Sequence, residues 1–92
     1  MSGFWNQAFD LTGRCAVITG GAAGIGLACA HLLVERGARV ALLDRDPAVV
    51  HVAASLGDGH LGIAVDLGQI GQIQRTIDSV FEHFQRLDYL IN

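Results

Sequence analysis

The chain has 92 residues, of which 51% are hydrophobic and 16% charged, and its formal net charge is −3. A chain of this length forms at most one domain with a modest core. The weak acidity and the lack of a basic run argue against binding to nucleic acid or to an anionic membrane surface. The high apolar content indicates strands that are buried on both faces.

The start of the chain and the cysteines indicate the compartment. Residues 1–6 lack the positive charge and the apolar stretch of a signal peptide, and no apolar run reaches the roughly 18 residues needed to span a membrane. We therefore expect a cytoplasmic protein that has no membrane partner. Cys15 and Cys29 fall within predicted buried elements, which favours reduced packing residues over a disulfide.

The first half of the chain predicts a strand, a helix and a second strand. An irregular lead-in over residues 1–13 ends in a Leu-Thr-Gly turn. The apolar run at 14–19 is typical of a fully buried strand. Good helix formers from Gly24 to Arg36, followed by glycine, predict a helix. Residues 39–43 form a second apolar run and predict the second buried strand.

The second half continues the alternation. Pro47 stands where a helix takes its first residue, and apolar residues then recur at helical spacing as far as Leu56. Residues 60–65 predict a third strand, residues 69–84 a long amphipathic helix, and residues 87–91 a fourth strand. The apolar stripe predicted for the long helix consists of Ile70, Ile73, Ile77, Val80, Phe81 and Phe84.

Strands that alternate with helices through short connections predict an α/β fold with right-handed crossovers. We expect a Rossmann-like, doubly wound parallel sheet of about four strands, and residues 1–92 form part of one such domain. No repeat, linker or low-complexity stretch indicates a second domain.

A glycine-rich segment joins the first predicted strand to the first predicted helix: Thr19-Gly20-Gly21-Ala22-Ala23-Gly24-Ile25-Gly26. In a dinucleotide-binding fold, this connection turns sharply and presents free helix N–H groups to a pyrophosphate. Gly20 would permit the turn, Gly24 would let the backbone approach the phosphates, and Gly26 would let the helix pack closely on the strand. The alternatives are a purely structural turn and a phosphate-binding loop of the NTPase type. The latter requires a lysine, and the chain has none.

The spacing Thr-Gly-x-x-x-Gly-x-Gly resembles that of the short-chain dehydrogenase/reductase family over nearly the whole chain. Three further features are similar: Asp44 ends the second strand, Val65-Asp66-Leu67 follows the third, and the fourth leads into Asn92. The resemblance implies an NAD(P)-binding site formed by Gly20, Ala23, Gly24, Ile25, Gly26, Asp44, Arg45, Asp66, Leu67 and Asn92.

The resemblance also implies roles for individual residues. The glycines and Ile25 would line the pyrophosphate, Asp66 would bind the adenine amino group beside the Leu67 backbone, and Asn92 would border the adenosine ribose. Asp66 has the alternative role of capping the following helix. Asp88 is interpreted as a solvated residue at the start of a strand.

Two residues bear on the choice between NAD and NADP. Asp44 lies where a carboxylate accepts hydrogen bonds from both ribose hydroxyls of NAD and repels the 2′-phosphate of NADP. Arg45 could neutralise that phosphate, but Ala23 stands where NADP-preferring relatives often have a basic residue. NAD is therefore the expected cofactor.

The catalytic tyrosine, lysine and serine of the family have no counterparts in this sequence. Its only tyrosine is Tyr89, it has no lysine, and its four histidines do not pair at metal-ligand spacing. Thr19 is interpreted as a packing residue. We therefore expect neither a catalytic residue nor a metal site within these 92 residues.

The family resemblance implies a longer, homo-oligomeric enzyme, a dimer or a tetramer, that oxidises an alcohol or reduces a carbonyl. The lead-in and the glycine-rich segment are similar to those of polyol and sugar-alcohol dehydrogenases, which implies such a substrate, with 3-oxoacyl and hydroxysteroid substrates as alternatives. A short, non-catalytic nucleotide-binding or interaction protein is the alternative function. The family's sheet order would leave strand four as an exposed edge, so we expect the isolated fragment to be poorly soluble.

Overall fold

The computed structural model describes residues 9–92, and the predicted lead-in up to residue 8 lies outside this range. Within it, strands and helices alternate in the predicted order. The elements are β1 (Cys15–Thr19), α1 (Gly24–Glu35), β2 (Arg39–Asp44), α2 (Val49–Ser55), β3 (Leu61–Ala64), α3 (Ile70–Phe84) and β4 (Tyr89–Ile91). The predicted α/β architecture is confirmed.

The four strands form one sheet in the order β3-β2-β1-β4, and all neighbouring strands are parallel. The chain moves outward from β1 to β3 and then crosses back to β4. The topological switch point therefore lies between β1 and β4, where open α/β sheets bind ligands at the carboxyl ends of their strands. Thr19 ends β1 and Asn92 directly follows β4, so both residues lie at this switch point.

The two central strands, β1 and β2, are buried on both faces along most of their length, as the apolar composition predicts. Side chains alternate along β1, so that Cys15 and Val17 face α3 while Ala16 and Ile18 face the other two helices. The α3 side of the core contains Val80 and Phe84. The opposite side is filled by small and branched residues: Ala30 from α1, Val40 and Leu42 from β2, and Val49 and Ala53 from α2.

The apolar stripe predicted for α3 is only partly buried. Val80 and Phe84 lie in the core and Ile77 packs against it, whereas Ile70 and Phe81 are exposed. The sheet extends beyond β1 by the short strand β4 alone, so the outer part of the stripe has little to pack against. The exposed edge predicted for strand four is confirmed, since β4 ends the sheet and the Leu90 side chain is 60% exposed.

Most element boundaries lie within one residue of those predicted, and two others differ by two residues. Pro47 does not begin a helix but lies in a turn, in which the Asp46 side chain accepts the Ala48 N–H at 2.9 Å, and α2 begins only at Val49. The fourth strand begins at Tyr89 rather than at residue 87. The residue before it, Asp88, is hydrogen-bonded to Cys15 of β1 through its side chain as well as its backbone.

Candidate cofactor site

The turn between β1 and α1 is built by glycines in the left-handed region. Gly20 has φ +67° and Gly24 has φ +60°, backbone angles that residues with a Cβ rarely adopt. The N–H groups of Gly20 and Gly21 both donate to the carbonyl oxygen of Leu43, at 2.8 and 3.3 Å. The turn is therefore held against the carboxyl end of β2.

Close packing explains two further glycines. A Cβ at Gly26 would overlap the carbonyl oxygen of Gly20. The helix therefore packs closely on the turn at this position, whereas the sequence predicts close packing on the strand. A Cβ at Gly21 would lie 2.8 Å from Cβ of Leu42. The sequence predicts no role for Gly21, because a buried contact between a turn and a neighbouring strand leaves no signal in the spacing of residues.

The beginning of α1 has unused hydrogen-bonding capacity. Ala23, the residue before the helix, is extended and makes no side-chain cap, and the first turn contains no acidic residue. The first N–H groups of a helix have no partners within the helix and carry a partial positive charge. Ala23, Gly24 and Ile25 are exposed. A Cβ at Gly24 would meet nothing within 4 Å beyond its chain neighbours. This end of α1 therefore suits an anion that approaches the backbone closely.

Asp44 lies beside this turn at the end of β2 and is partly buried. Its Oδ2 accepts the N–H of Ala22 at 3.1 Å, and its Oδ1 accepts the N–H of Asp46 at 3.0 Å. Arg45 is exposed. A cavity of about 160 Å³ opens here, and it is lined by Gly20, Leu43, Asp44, Arg45, Val65 and Leu67.

A neighbouring cavity of about 300 Å³ lies at the switch point and shares Leu43 and Leu67 with the first. Its polar residues are Thr19 and Asn92, and its other lining residues are Ile73, Ile77 and Leu90. The Thr19 hydroxyl donates to Oδ1 of Asn92 at 3.0 Å and approaches the carbonyl oxygen of Ile91 at 3.4 Å. Thr19 is thus more than the packing residue predicted, since it connects the carboxyl ends of β1 and β4.

Asp66 follows β3 and is exposed. Its Oδ1 accepts the N–H of Gly68 at 2.9 Å, which closes the turn before α3. The residue that precedes α3 is Gln69, and it makes no side-chain cap, so Asp66 shapes the turn without capping the helix directly. The adenine role of Asp66 stays a prediction.

The structure brings together some of the predicted site residues. Gly20, Asp44, Arg45 and Leu67 line one cavity, and Leu67 and Asn92 line the other. The remaining predicted residues line neither cavity and lie in the turn, at the start of α1 or before α3: Ala23, Gly24, Ile25, Gly26 and Asp66.

Asp88 lies at the opposite end of the sheet, and its interpretation as a solvated residue is wrong. Its side chain is 14% exposed and accepts hydrogen bonds from Arg86 at 2.7 and 2.8 Å and from the N–H of Cys15 at 2.9 Å. Arg14 is also within 3.3 Å. The paired Arg86 guanidinium, followed by the Cys15 N–H, holds the pKa of Asp88 well below its usual range.

The described part of the chain, residues 9–92, has neither a metal-binding cluster nor a helix suited to a membrane. No group of three or more histidine, cysteine, aspartate or glutamate side chains in this part of the chain is placed to hold a metal ion. In the same residues, no helix combines the length and apolar character needed to cross a membrane. Cys15 is buried and Cys29 half-buried, and both are free thiols.

A glycine-rich turn and an acidic strand end at the switch point of a parallel sheet define a dinucleotide-binding type of fold. Residues 14–92 match the family model described as short chain dehydrogenase. The chain belongs to this family.

Individual relatives agree with this assignment. The chain is 38% identical to D-threitol dehydrogenase of Mycolicibacterium smegmatis over 88 residues, which cover 91% of this chain and 34% of the relative. It is 35% identical to NAD-dependent glycerol dehydrogenase of Listeria innocua, over 96% of this chain and 35% of the relative. The chain thus spans about a third of the length of these curated relatives.

A solved structure shares the fold. The crystal structure of 3-ketoacyl-(acyl-carrier-protein) reductase from Brucella melitensis, complexed with NADH, superimposes with a TM-score of 0.83 at 32% sequence identity. The match covers 87% of this chain and 33% of that protein. The Rossmann-like architecture predicted from the sequence is therefore the architecture of a solved family member.

Proposed function

We propose that this chain is the NAD-binding portion of an oxidoreductase that transfers hydride between NAD(H) and an alcohol or carbonyl substrate. The observation that carries the proposal is the uncapped N-terminus of α1, which lies next to a turn held by Leu43 and Asp44 at the switch point. Bound nicotinamide would supply the hydride chemistry, and these residues would bind and orient the cofactor.

The pyrophosphate would lie at the start of α1. Gly20, Ala23, Gly24, Ile25 and Gly26 surround this end of the helix, and the lack of a Cβ at Gly24 leaves the backbone accessible. The residues present therefore fit a doubly charged linker bound by backbone N–H groups and the helix dipole.

The adenosine would lie along the ends of β2, β3 and β4. Asp44 would accept hydrogen bonds from both ribose hydroxyls, Asp66 would bind the adenine amino group beside Leu67, and Asn92 would border the ribose. Leu43 and Leu67 line both cavities. Their side chains would give the adenine ring an apolar surface.

The same geometry supports NAD over NADP. A 2′-phosphate in this site would meet the carboxylate of Asp44, and like charges in contact repel. Arg45 is exposed, and Ala23 offers no positive charge beside the turn.

The substrate and the catalytic residues belong to the longer protein that we propose. The lengths of the relatives and the absence of lysine from this sequence support that extent. A small polyol is the proposed substrate, because the relatives include dehydrogenases named for D-threitol and glycerol. We also propose a cytoplasmic homo-oligomer, a dimer or a tetramer.

Activity of the intact protein that contains this chain tests the proposal. Incubation with NAD and a panel of small polyols should produce NADH absorbance, and the Asp58→Asn variant should retain this activity because Asp58 lies in the exposed turn before β3. NADH-dependent reduction of 3-oxoacyl esters with no polyol oxidation would contradict the polyol proposal and favour the 3-oxoacyl substrates. Nucleotide binding without turnover of any substrate would favour the non-catalytic alternative.

A further inference from the structure

Both carboxylate oxygens of Asp44 are hydrogen-bonded to the protein itself. Oδ2 accepts from Ala22, which belongs to the glycine-rich turn, and Oδ1 accepts from Asp46, which follows β2. Ala22 and Asp44 are 22 residues apart in sequence. The side chain therefore joins the turn after β1 to the end of the neighbouring strand.

The hydrogen bond from Ala22 to Asp44 adds to two backbone hydrogen bonds that hold the same turn. The N–H groups of Gly20 and Gly21 donate to Leu43, but both lie before the middle of the turn. Ala22 is the next residue, and after it comes Ala23, whose carbonyl oxygen accepts the first bond of α1 from Leu27 at 3.3 Å. Among the bonds to β2, the one made by Asp44 is thus the nearest to the helix N-terminus.

We infer that Asp44 positions the glycine-rich turn for the cofactor's pyrophosphate, in addition to binding the ribose. This inference rests on the proposed function. A hydrogen bond to an ionised acceptor is stronger and shorter than one between neutral groups, so a carboxylate suits a fixed turn better than an amide. Small displacements of N–H donors weaken the binding of an anion that depends on several of them at once.

The two roles are compatible in one side chain. A carboxylate has about four lone-pair sites on its two oxygens, and the contacts with Ala22 and Asp46 use one on each oxygen. One site on each oxygen stays available, which matches two ribose hydroxyls. Replacement of Asp44 to admit a 2′-phosphate therefore removes repulsion and also loosens the pyrophosphate turn.

Amide hydrogen exchange of the intact protein without cofactor tests the positioning role directly. In Asp44→Ala, exchange at the Ala22 N–H should accelerate by about tenfold or more, since its partner is lost. Exchange at the Gly20 N–H should change little, because its acceptor is the backbone of Leu43. The Asp44→Asn variant retains one acceptor oxygen, so it should keep one of the two amides, at Ala22 or Asp46, protected. Unchanged exchange at Ala22 in Asp44→Ala would overturn the inference.

Cofactor binding separates this role from the ribose contact. The probe is an NAD analogue whose adenosine ribose lacks the 2′ and 3′ hydroxyls, so Asp44 has no ribose group to bind. Asp44→Ala should still weaken binding of this analogue by about tenfold, and Asp44→Asn should recover part of the loss. Equal affinity of the wild type and both variants for the analogue would contradict the inference. Failure of the wild type to bind NADH would contradict the proposed function instead, while the exchange measurement would still test the turn.

Discussion

The carboxylate of Asp88 accepts the backbone N–H of Cys15 at 2.9 Å, across 73 positions of sequence. The bond joins the beginning of β4 to the beginning of β1, and Arg86 and Arg14 surround the same carboxylate. Asp88 is therefore the centre of a charged cluster that joins β4 to β1.

We expect this cluster to make the protein sensitive to acid. The pKa of Asp88 is lowered in the folded state, chiefly by Arg86 and then by the Cys15 N–H. The contribution of Asp88 to the free energy of unfolding is therefore complete above about pH 4. As the pH falls below that value, the unfolded state binds the proton first and stability declines. Urea midpoints at pH 7 and pH 3 should therefore differ less in Asp88→Asn than in the wild type. Asp58→Asn serves as the control, and an equal acid response in the wild type and Asp88→Asn would contradict this role.

Two glycines of the turn should respond differently to alanine. Gly24 has open space around it, so Gly24→Ala meets only the strain of positive φ, about 1 kcal/mol of unfolding free energy. Gly26→Ala forces a methyl group against the Gly20 carbonyl oxygen and should cost about 3 kcal/mol. Chemical denaturation of both variants compares the two. Equal stability of the pair would show that the turn relaxes freely around Gly26.

His60 should give the fold a second, milder dependence on pH. Its Nδ1 accepts the N–H of Val40 at 3.2 Å, and burial, followed by the nearby charge of Arg39, lowers the pKa of His60. The neutral form is therefore favoured in the folded state, and stability should fall as the pH drops below about 6.5.

Unfolding midpoints at pH 7.5 and 5.5 measure this effect. His60→Asn keeps an acceptor without a titrating ring, so its midpoint should change less between the two pH values. His51→Asn is the matched control, because His51 is exposed on α2. A pH response that survives in His60→Asn and disappears in His51→Asn would assign the effect to His51 and contradict this prediction.

The free edge at β4 should limit the solubility of the isolated 92-residue chain. Leu90 is 60% exposed, and Phe81 on the adjacent helix is 52% exposed. Exposed strand edges pair with other chains, and charged residues on an edge discourage such pairing. Leu90→Lys should therefore increase the fraction that elutes as monomer in size-exclusion chromatography. A wild-type chain that is already monomeric and melts cooperatively would contradict this expectation.

The periodicity of the sequence was sufficient for the order of elements and the sheet type, because buried parallel strands and helices differ in length and in their breakers. The sequence does not predict the positive φ of Gly24, but the role of Gly20 was accessible, since a sharp turn between strand and helix requires a residue that tolerates positive φ. The contacts of Asp44 with Ala22 and of Asp88 with Cys15 were not. They join residues far apart in sequence and depend on the path of the backbone after folding.

We propose that the turn after β1 and Asp44 together bind NAD. Calorimetric titration of the intact protein with NADH and with NADPH tests it most directly. The charge of Asp44 predicts that NADH binds more tightly, by about tenfold or more, and that Asp44→Ala narrows this difference. Tighter binding of NADPH, or binding of neither nucleotide, would contradict it.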